Sequence, residues 1–478
     1  MSENKVLKSG IWYTVSSIAI RAIGIITAPI YTSLLSTGDY GLANTFNSWI
    51  DIFNVITCLC VVYSIGRAKI DFEDRFDEYV SALQGLSSSF AFLVLIFVFI
   101  FRDFVSSFIR YEVPLVIVLF VYLTMSPSVE YMLQKCRYEY KYKENIAISV
   151  INCLATIAFS IALIFLFNDK RYFGKILGAT LPMFLMGLFC YVNILKKGRV
   201  FYNKEYWIYA LKFGLPMIPH AFAMQVLAQV DRVMIKDICG ESDAGLYSFA
   251  YTIAVLLSVF TNAIGQAWLP WFNEQLNSGL KVRIREIQKK LVLLGIFLSL
   301  GLIMIAPEAV MLLSPNSPDY WVSKWVVPSV ALGVLAQYFY TNYVNLELFH
   351  KKTPIIAVSS VLAALINYGL NALAIPRFGY IAAAYTTLLS YLFLMVFHFL
   401  ATRFVIKEKV YADLYMFAAM GMAIALGLGL CMLYRDGTSF VILRYSTALA
   451  VLIVFAIIKR RDIMLLVDFI RKKYLHKE

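Results

Sequence analysis

Charged side chains are scarce in this chain of 478 residues: only 15% of it is Asp, Glu, Lys or Arg, where a soluble domain carries about 25%. With 60% of the residues hydrophobic and a mean hydropathy of +0.72, a water-soluble globule is excluded. Polar stretches of domain size are missing as well, so the chain reads as one membrane-embedded body, not as three soluble domains. The seven cysteines are odd in number and fall mostly in apolar segments, as small buried hydrophobes and not as a disulfide framework. Only four histidines occur, at His220, His350, His398 and His476, and they form no cluster. No His, Cys and carboxylate set has metal-ligand spacing, so neither a metal nor a cofactor is expected. The chain also lacks a G-x-x-x-x-G-K-[ST] loop, a D-x-D triplet and a G-x-S-x-G elbow, which argues against an enzyme.

What is abundant is apolar sequence. Fourteen runs of about 20 residues, the first at 10–35 and the last at 439–458, predict fourteen transmembrane helices. The first run follows Lys5 and Lys8 but is too long for a secretory signal and lacks a small-residue cleavage site. Of the 43 Lys and Arg residues, thirty-one fall on the side of the N-terminus and ten on the other. That bias over short loops predicts both termini in the cytoplasm. The net charge of +13 is then a record of orientation, and nucleic-acid binding is not expected. Only Arg21 and Arg232 are left inside the spans. The opposite loops are too short for the domain that a lipid-linked-sugar ligase or polymerase needs.

Two short motifs recur at nearly one offset. Asp39-Tyr40-Gly41-Leu42 returns as Asp243-Ala244-Gly245-Leu246, and Phe173-Gly174 returns as Phe378-Gly379. Six spans per copy give a parallel repeat, whose halves face each other across a cavity. The expected fold is therefore an all-α polytopic membrane protein with two six-helix bundles, at 1–200 and 201–405. A further helix pair and a basic tail occupy 406–478.

Polar groups in the spans are costly unless they face protein or water. Arg21 lies about 16 Å into the first helix, near the midplane. It shares a small, polar stripe with Ser17 and Gly24. Asn47, Asp51 and Asn54 form a polar face on the second span, and Gln225, Gln229, Arg232 and Lys236 one on the seventh, with Asp231 beside it. Asp51, an acid within the second span, is the candidate counter-ion for Arg21. Further pairs are Asn262/Gln266, Gln337/Thr341 and Asn367/Asn371. Such stripes line a wet interior if they converge, and the Asn and Gln pairs serve equally as interhelical glue. Gly24 and Pro29 interrupt the first span, and Gly214, Pro216 and Pro219 the seventh; they are hinge candidates or static kinks.

The stretch Tyr338 to Phe393, with its Lys351-Lys352 loop, paired Asn367 and Asn371 and Ile-Pro-x-Phe-Gly turn, resembles the C-terminal signature of the polysaccharide transporters, the Wzx-type oligosaccharide flippases. Leu215 to Ile235 and Arg21 to Phe46 are similar to that family's seventh and first helices, and the likeness spans essentially the whole chain. The resemblance implies the multidrug/oligosaccharidyl-lipid/polysaccharide exporter fold, two six-helix bundles in a V. It implies flipping of an undecaprenyl-pyrophosphate-linked oligosaccharide, a repeat unit of O-antigen, capsule or exopolysaccharide, across the bacterial inner membrane. Arg21 and Arg232 would then pair with pyrophosphate. An H+ or Na+ gradient would supply the energy, and polysaccharide polymerase and glycosyltransferases of the same pathway would be partners alongside membrane lipids. A multidrug exporter, for which Asp51 or Asp231 would titrate, and a flippase for a peptidoglycan-type or teichoic-type precursor are the alternatives.

Overall fold

The computed structural model describes residues 23–435 continuously, together with residues 12, 16, 19, 20, 437, 439–447 and 449. Arg21 and Ser17, and half of the last expected span, lie outside the described residues. Helices of α, 3-10 and π type are the only regular structure among the described residues, with no strand. That follows from the solvent: hydrocarbon cannot satisfy backbone N–H and C=O groups, and a helix satisfies its own.

Nine of the described helices are long and apolar enough to cross a membrane, and two bent pairs bring the count to eleven. Thr37–Thr57 joins Val61–Asp71 at 55°, and Pro318–Trp325 joins Val327–Phe349 at 47°. The first bend is made by Leu59 and Cys60, both in the left-handed region at φ 54° and 52°. The seventh expected span is the 35-residue helix Lys204–Ile238. It falls outside the apolar set because its polar stripe lowers its hydropathy, although its length of about 50 Å exceeds the hydrocarbon thickness.

Packing separates a lipid-facing rim from buried helices. The apolar window of Tyr142–Leu166 is only 11% buried, and Leu93, Phe97 and Ile100 point outward from Phe76–Ile100. Val327–Phe349, by contrast, is buried around most of its circumference. One apolar core gathers side chains from Ala223 to Tyr434 and takes in Tyr31, Leu35, Tyr40 and Ile164 from the N-terminal half. Two smaller cores hold the N-terminal half together, one around Tyr79 and Tyr131, the other around Phe46 and Leu119.

Helix Asp413–Cys431 is tied to the second half by polar contacts at one end. Lys281 Nζ lies 2.6 Å from Glu408 Oε1, and His350 Nε2 lies 2.6 Å from Glu408 Oε2. Arg403 pairs with Asp413, which also accepts from Tyr343 Oη at 3.0 Å. Partial burial opposes ionisation of Glu408, but Lys281 and His350 overcome it and hold the carboxyl below its ordinary range.

Candidate substrate cavity

The repeated Asp-x-Gly-Leu motif marks the closest approach of the two halves. A Cβ on Gly41 would sit 1.9 Å from Glu241 O, and one on Gly245 1.9 Å from Thr37 O. Helices Thr37–Thr57 and Glu241–Ala254 thus cross with their backbones touching, which only glycine permits. The Thr37 and Ser242 hydroxyls bridge the crossing at 2.7 Å. Tyr320 Oη donates to Leu35 O and Ser36 O, and Thr32 Oγ1 donates to Leu313 O at 2.9 Å. Nearby, Arg110 meets Asp237 at 3.3 Å, and Lys236 Nζ donates to Arg110 O at 2.8 Å while lying over the Tyr111 ring. These contacts seal the bundle at the end that the charge bias predicts to be outward.

Below the seal, the polar stripes of the second and seventh spans meet. Gln229 Nε2 donates to Asp51 Oδ2 at 2.7 Å, and Ser48 Oγ donates to Gln229 Oε1 at 3.1 Å. Arg232 Nη1 donates to Gln229 Oε1 and to Ala228 O, both at 2.9 Å, and its guanidinium lies 4.3 Å over the Tyr251 ring. Asp51 is therefore joined to Arg232 through one amide across the two halves. Asn47 is exposed and Gln225 half-buried; Asn54 is half-buried, with its buried Oδ1 lacking a hydrogen-bond partner.

Asp231, Asn367 and Asn371 are placed elsewhere, which corrects the expectation that they line a wet interior. Asp231 is 1% exposed and both Asn residues are fully buried. Asp231 accepts from Tyr247 Oη at 2.6 Å, Thr387 Oγ1 at 2.5 Å and Asn371 Nδ2 at 2.7 Å. Asn371 also donates to Asn367 Oδ1 at 3.2 Å and accepts from Thr386. A carboxylate with three donors from three other helices is a joint of the second half, as buried polar groups in a membrane must be. Tyr247, Thr386 and Thr387 were not singled out by periodicity; only packing brings them to Asp231 and Asn371.

A second buried pair also escaped the sequence. His398 Nδ1 lies 2.9 Å from Glu347, its Nε2 lies 3.1 Å from Ser359 Oγ, and Tyr340 stacks on its ring. The hinge candidates occupy different backbone settings. Pro29 sits in the first turn of Ala28–Leu34, and Pro216 and Pro219 lie inside an unbroken helix. Gly24 has open space around it, whereas a Cβ on Gly214 would reach within 2.4 Å of Leu59 O. Gly214 is thus a point of close packing against the bend of the second span.

A polar cleft of about 410 Å³ opens between helices Leu256–Asn277 and Val327–Phe349. Gln337 and Thr341 line it, as do Asn262, Gln266, Asn342 and Asn345. Trp268 and Tyr338 supply its aromatic walls, and no charged residue lines it among the described residues. Two of the predicted polar pairs therefore converge on one opening, and the Asn367/Asn371 pair does not.

The family model described as polysaccharide biosynthesis protein matches residues 6–275, more than half of the chain. The chain belongs to the polysaccharide biosynthesis protein family. Its relatives include a protein of the Lsg locus of Haemophilus influenzae, 22% identical over 378 residues and covering 76% of this chain and 89% of the relative. An uncharacterized membrane protein of Methanocaldococcus jannaschii is 21% identical over 428 residues, with 83% of each chain covered. Among solved structures, the lipid II flippase MurJ in an inward closed conformation superposes with a TM-score of 0.74 over 95% of this chain and all of that one, at 14% identity. An inward-facing multidrug resistance transporter of the MATE family gives 0.58 over 82% of this chain and 98% of its own, at 15% identity. This polysaccharide biosynthesis family member thus has the expected exporter-superfamily fold and is a multi-pass membrane protein.

Proposed function

We propose that the protein flips an undecaprenyl-pyrophosphate-linked oligosaccharide from the inner to the outer leaflet of the bacterial cytoplasmic membrane by alternating access. The observation that supports the reading is the Asp51–Gln229–Arg232 chain, which joins a carboxylate of the second expected span to a guanidinium of the seventh. A guanidinium in a low-dielectric site pairs strongly with a diphosphate, and its amide and carboxylate neighbours hold it when the substrate is gone. The family description and the fold shared with a lipid II flippase support a lipid-linked saccharide as cargo. The uncharged polar cleft favours a saccharide over the hydrophobic cations of a drug exporter. An H+ or Na+ gradient drives the cycle, and the product passes to the polymerase of the same pathway.

The test is translocation of a fluorescent undecaprenyl-pyrophosphate oligosaccharide in proteoliposomes. Arg232→Gln and Arg21→Ala each lose at least tenfold in rate at unchanged protein level. Full activity in both variants would sink the cavity-cation mechanism.

A further inference from the structure

We propose that the cleft between Leu256–Asn277 and Val327–Phe349 is a binding subsite for uncharged sugar residues, neutral hexoses or N-acetylhexosamines, of the lipid-linked cargo. This deepens the flippase reading and rests on it. Three observations converge. First, the amides of Asn262, Gln266 and Asn345 line the cleft with no hydrogen-bond partner among the described residues, although Asn345 is only 8% exposed. Asn262 and Gln266 are exposed at the cleft, and together with Asn345 they present unpaired donors and acceptors to a ligand there. A planar amide offers a donor and an acceptor side by side, the pattern that a vicinal hydroxyl pair or an acetamido group completes.

Second, the walls are aromatic. Tyr338 is half-buried at the cleft, and Trp268, 6% exposed, has a buried indole N–H with no acceptor. Rings of this kind cover the apolar C–H face of a pyranose. Third, among the described residues the lining contains no Asp, Glu, Lys, Arg or His. A uronate or other anionic sugar would enter without a counter-charge and lose its hydration uncompensated. The anionic part of the cargo has its cation elsewhere. Arg232 lies over Tyr251, which precedes the cleft residue Val259 by about 12 Å of helix. Pyrophosphate and sugars are then read by separate surfaces, one by charge and one by hydrogen bonds.

Titration calorimetry on the full chain in nanodiscs tests this with chitotriose, maltotriose, trigalacturonate and farnesyl pyrophosphate as probes. The neutral trisaccharides bind saturably, trigalacturonate binds at least tenfold more weakly, and Asn345→Ala and Gln337→Ala each weaken neutral binding at least tenfold. Gln337→Lys reverses the preference toward trigalacturonate, a gain that misfolding cannot produce. Equal binding of trigalacturonate to the unaltered protein, or unchanged neutral binding in both alanine variants, overturns the subsite. Displacement of chitotriose by a peptidoglycan stem pentapeptide overturns it in favour of a peptide-reading cleft. If farnesyl pyrophosphate binds in an Arg232-dependent way while no sugar binds, the subsite falls and the flippase reading stands; if neither probe binds, both fall.

Discussion

Gly41→Ala is the sharpest test of the seal between the two halves. The added Cβ would lie 1.9 Å from Glu241 O and 2.7 Å from Gly245 N, both backbone atoms that no rotamer change can move aside. Carbon and carbonyl oxygen approach no closer than about 3.3 Å, so the two helices must separate by about 1.4 Å at the crossing. Forcing one methyl into close packing costs about 1–3 kcal/mol. Taken as about 2 kcal/mol, and borne only by the state in which the crossing is closed, it shifts the conformational balance about thirtyfold toward the open-outward form. The assay is labelling of Asn47→Cys, an exposed position on the same helix, by a membrane-impermeant maleimide added outside intact cells. Gly41→Ala raises the labelling rate and slows translocation, and Gly245→Ala does the same. Because both methyl groups fall at one contact, the double variant is less than additive. Unchanged labelling together with unchanged transport would refute the seal.

Three further outcomes follow from the polar contacts. Asp231→Ala strands the Tyr247, Thr387 and Asn371 donors and lowers stability by about 3 kcal/mol or more, read as a lower melting temperature and lower membrane abundance. Gln337→Ala, on the cleft wall, leaves the stability within about 0.5 kcal/mol of the unaltered protein, read as a nearly unchanged melting temperature. Glu408 has a folded pKa below its unfolded value of about 4.3, so its contribution to stability is full above that value. It is lost as pH falls through the depressed pKa; a melting-temperature series from pH 7 to pH 3 therefore converges for the unaltered protein and Glu408→Gln at the acid end. A constant gap between the two across the series would rule out the Lys281 and His350 pairing as its source.

Much of the architecture was legible because the bilayer imposes one rule on every span. Apolar runs of about 20 residues marked the helices, and the polar stripe on Lys204–Ile238 was visible because four groups shared one face at helical spacing. The expected fourteen spans are met by nine to eleven strongly apolar ones among the described residues. The ends of the chain lie outside them, and the seventh span is polar enough to fall short. The cleft was half legible: Gln337/Thr341 and Asn262/Gln266 stood out as i, i+4 pairs, whereas Asn345 and Trp268 join them only through packing. The His398 and Glu347 pair was invisible because its members lie 51 residues apart on different helices.

The sequence by itself determined that the chain lives in a membrane, that its spans are helical, and that an Asp-x-Gly-Leu element occurs twice. Those properties depend on hydropathy and local spacing, which the order of residues carries directly. Which polar groups face a cavity was decided only by the tertiary structure. Asp51 and Asn371 look alike in sequence, each at helical spacing from another polar group on its span. One lies at the junction of the halves, bonded to Gln229, and the other is sealed inside the second half against Asp231. That difference arises from how helices pack around each residue, a relation between segments hundreds of residues apart. The same holds for Gly41 and Gly245, whose repeat is written in the sequence and whose contact exists only once the two halves close on each other.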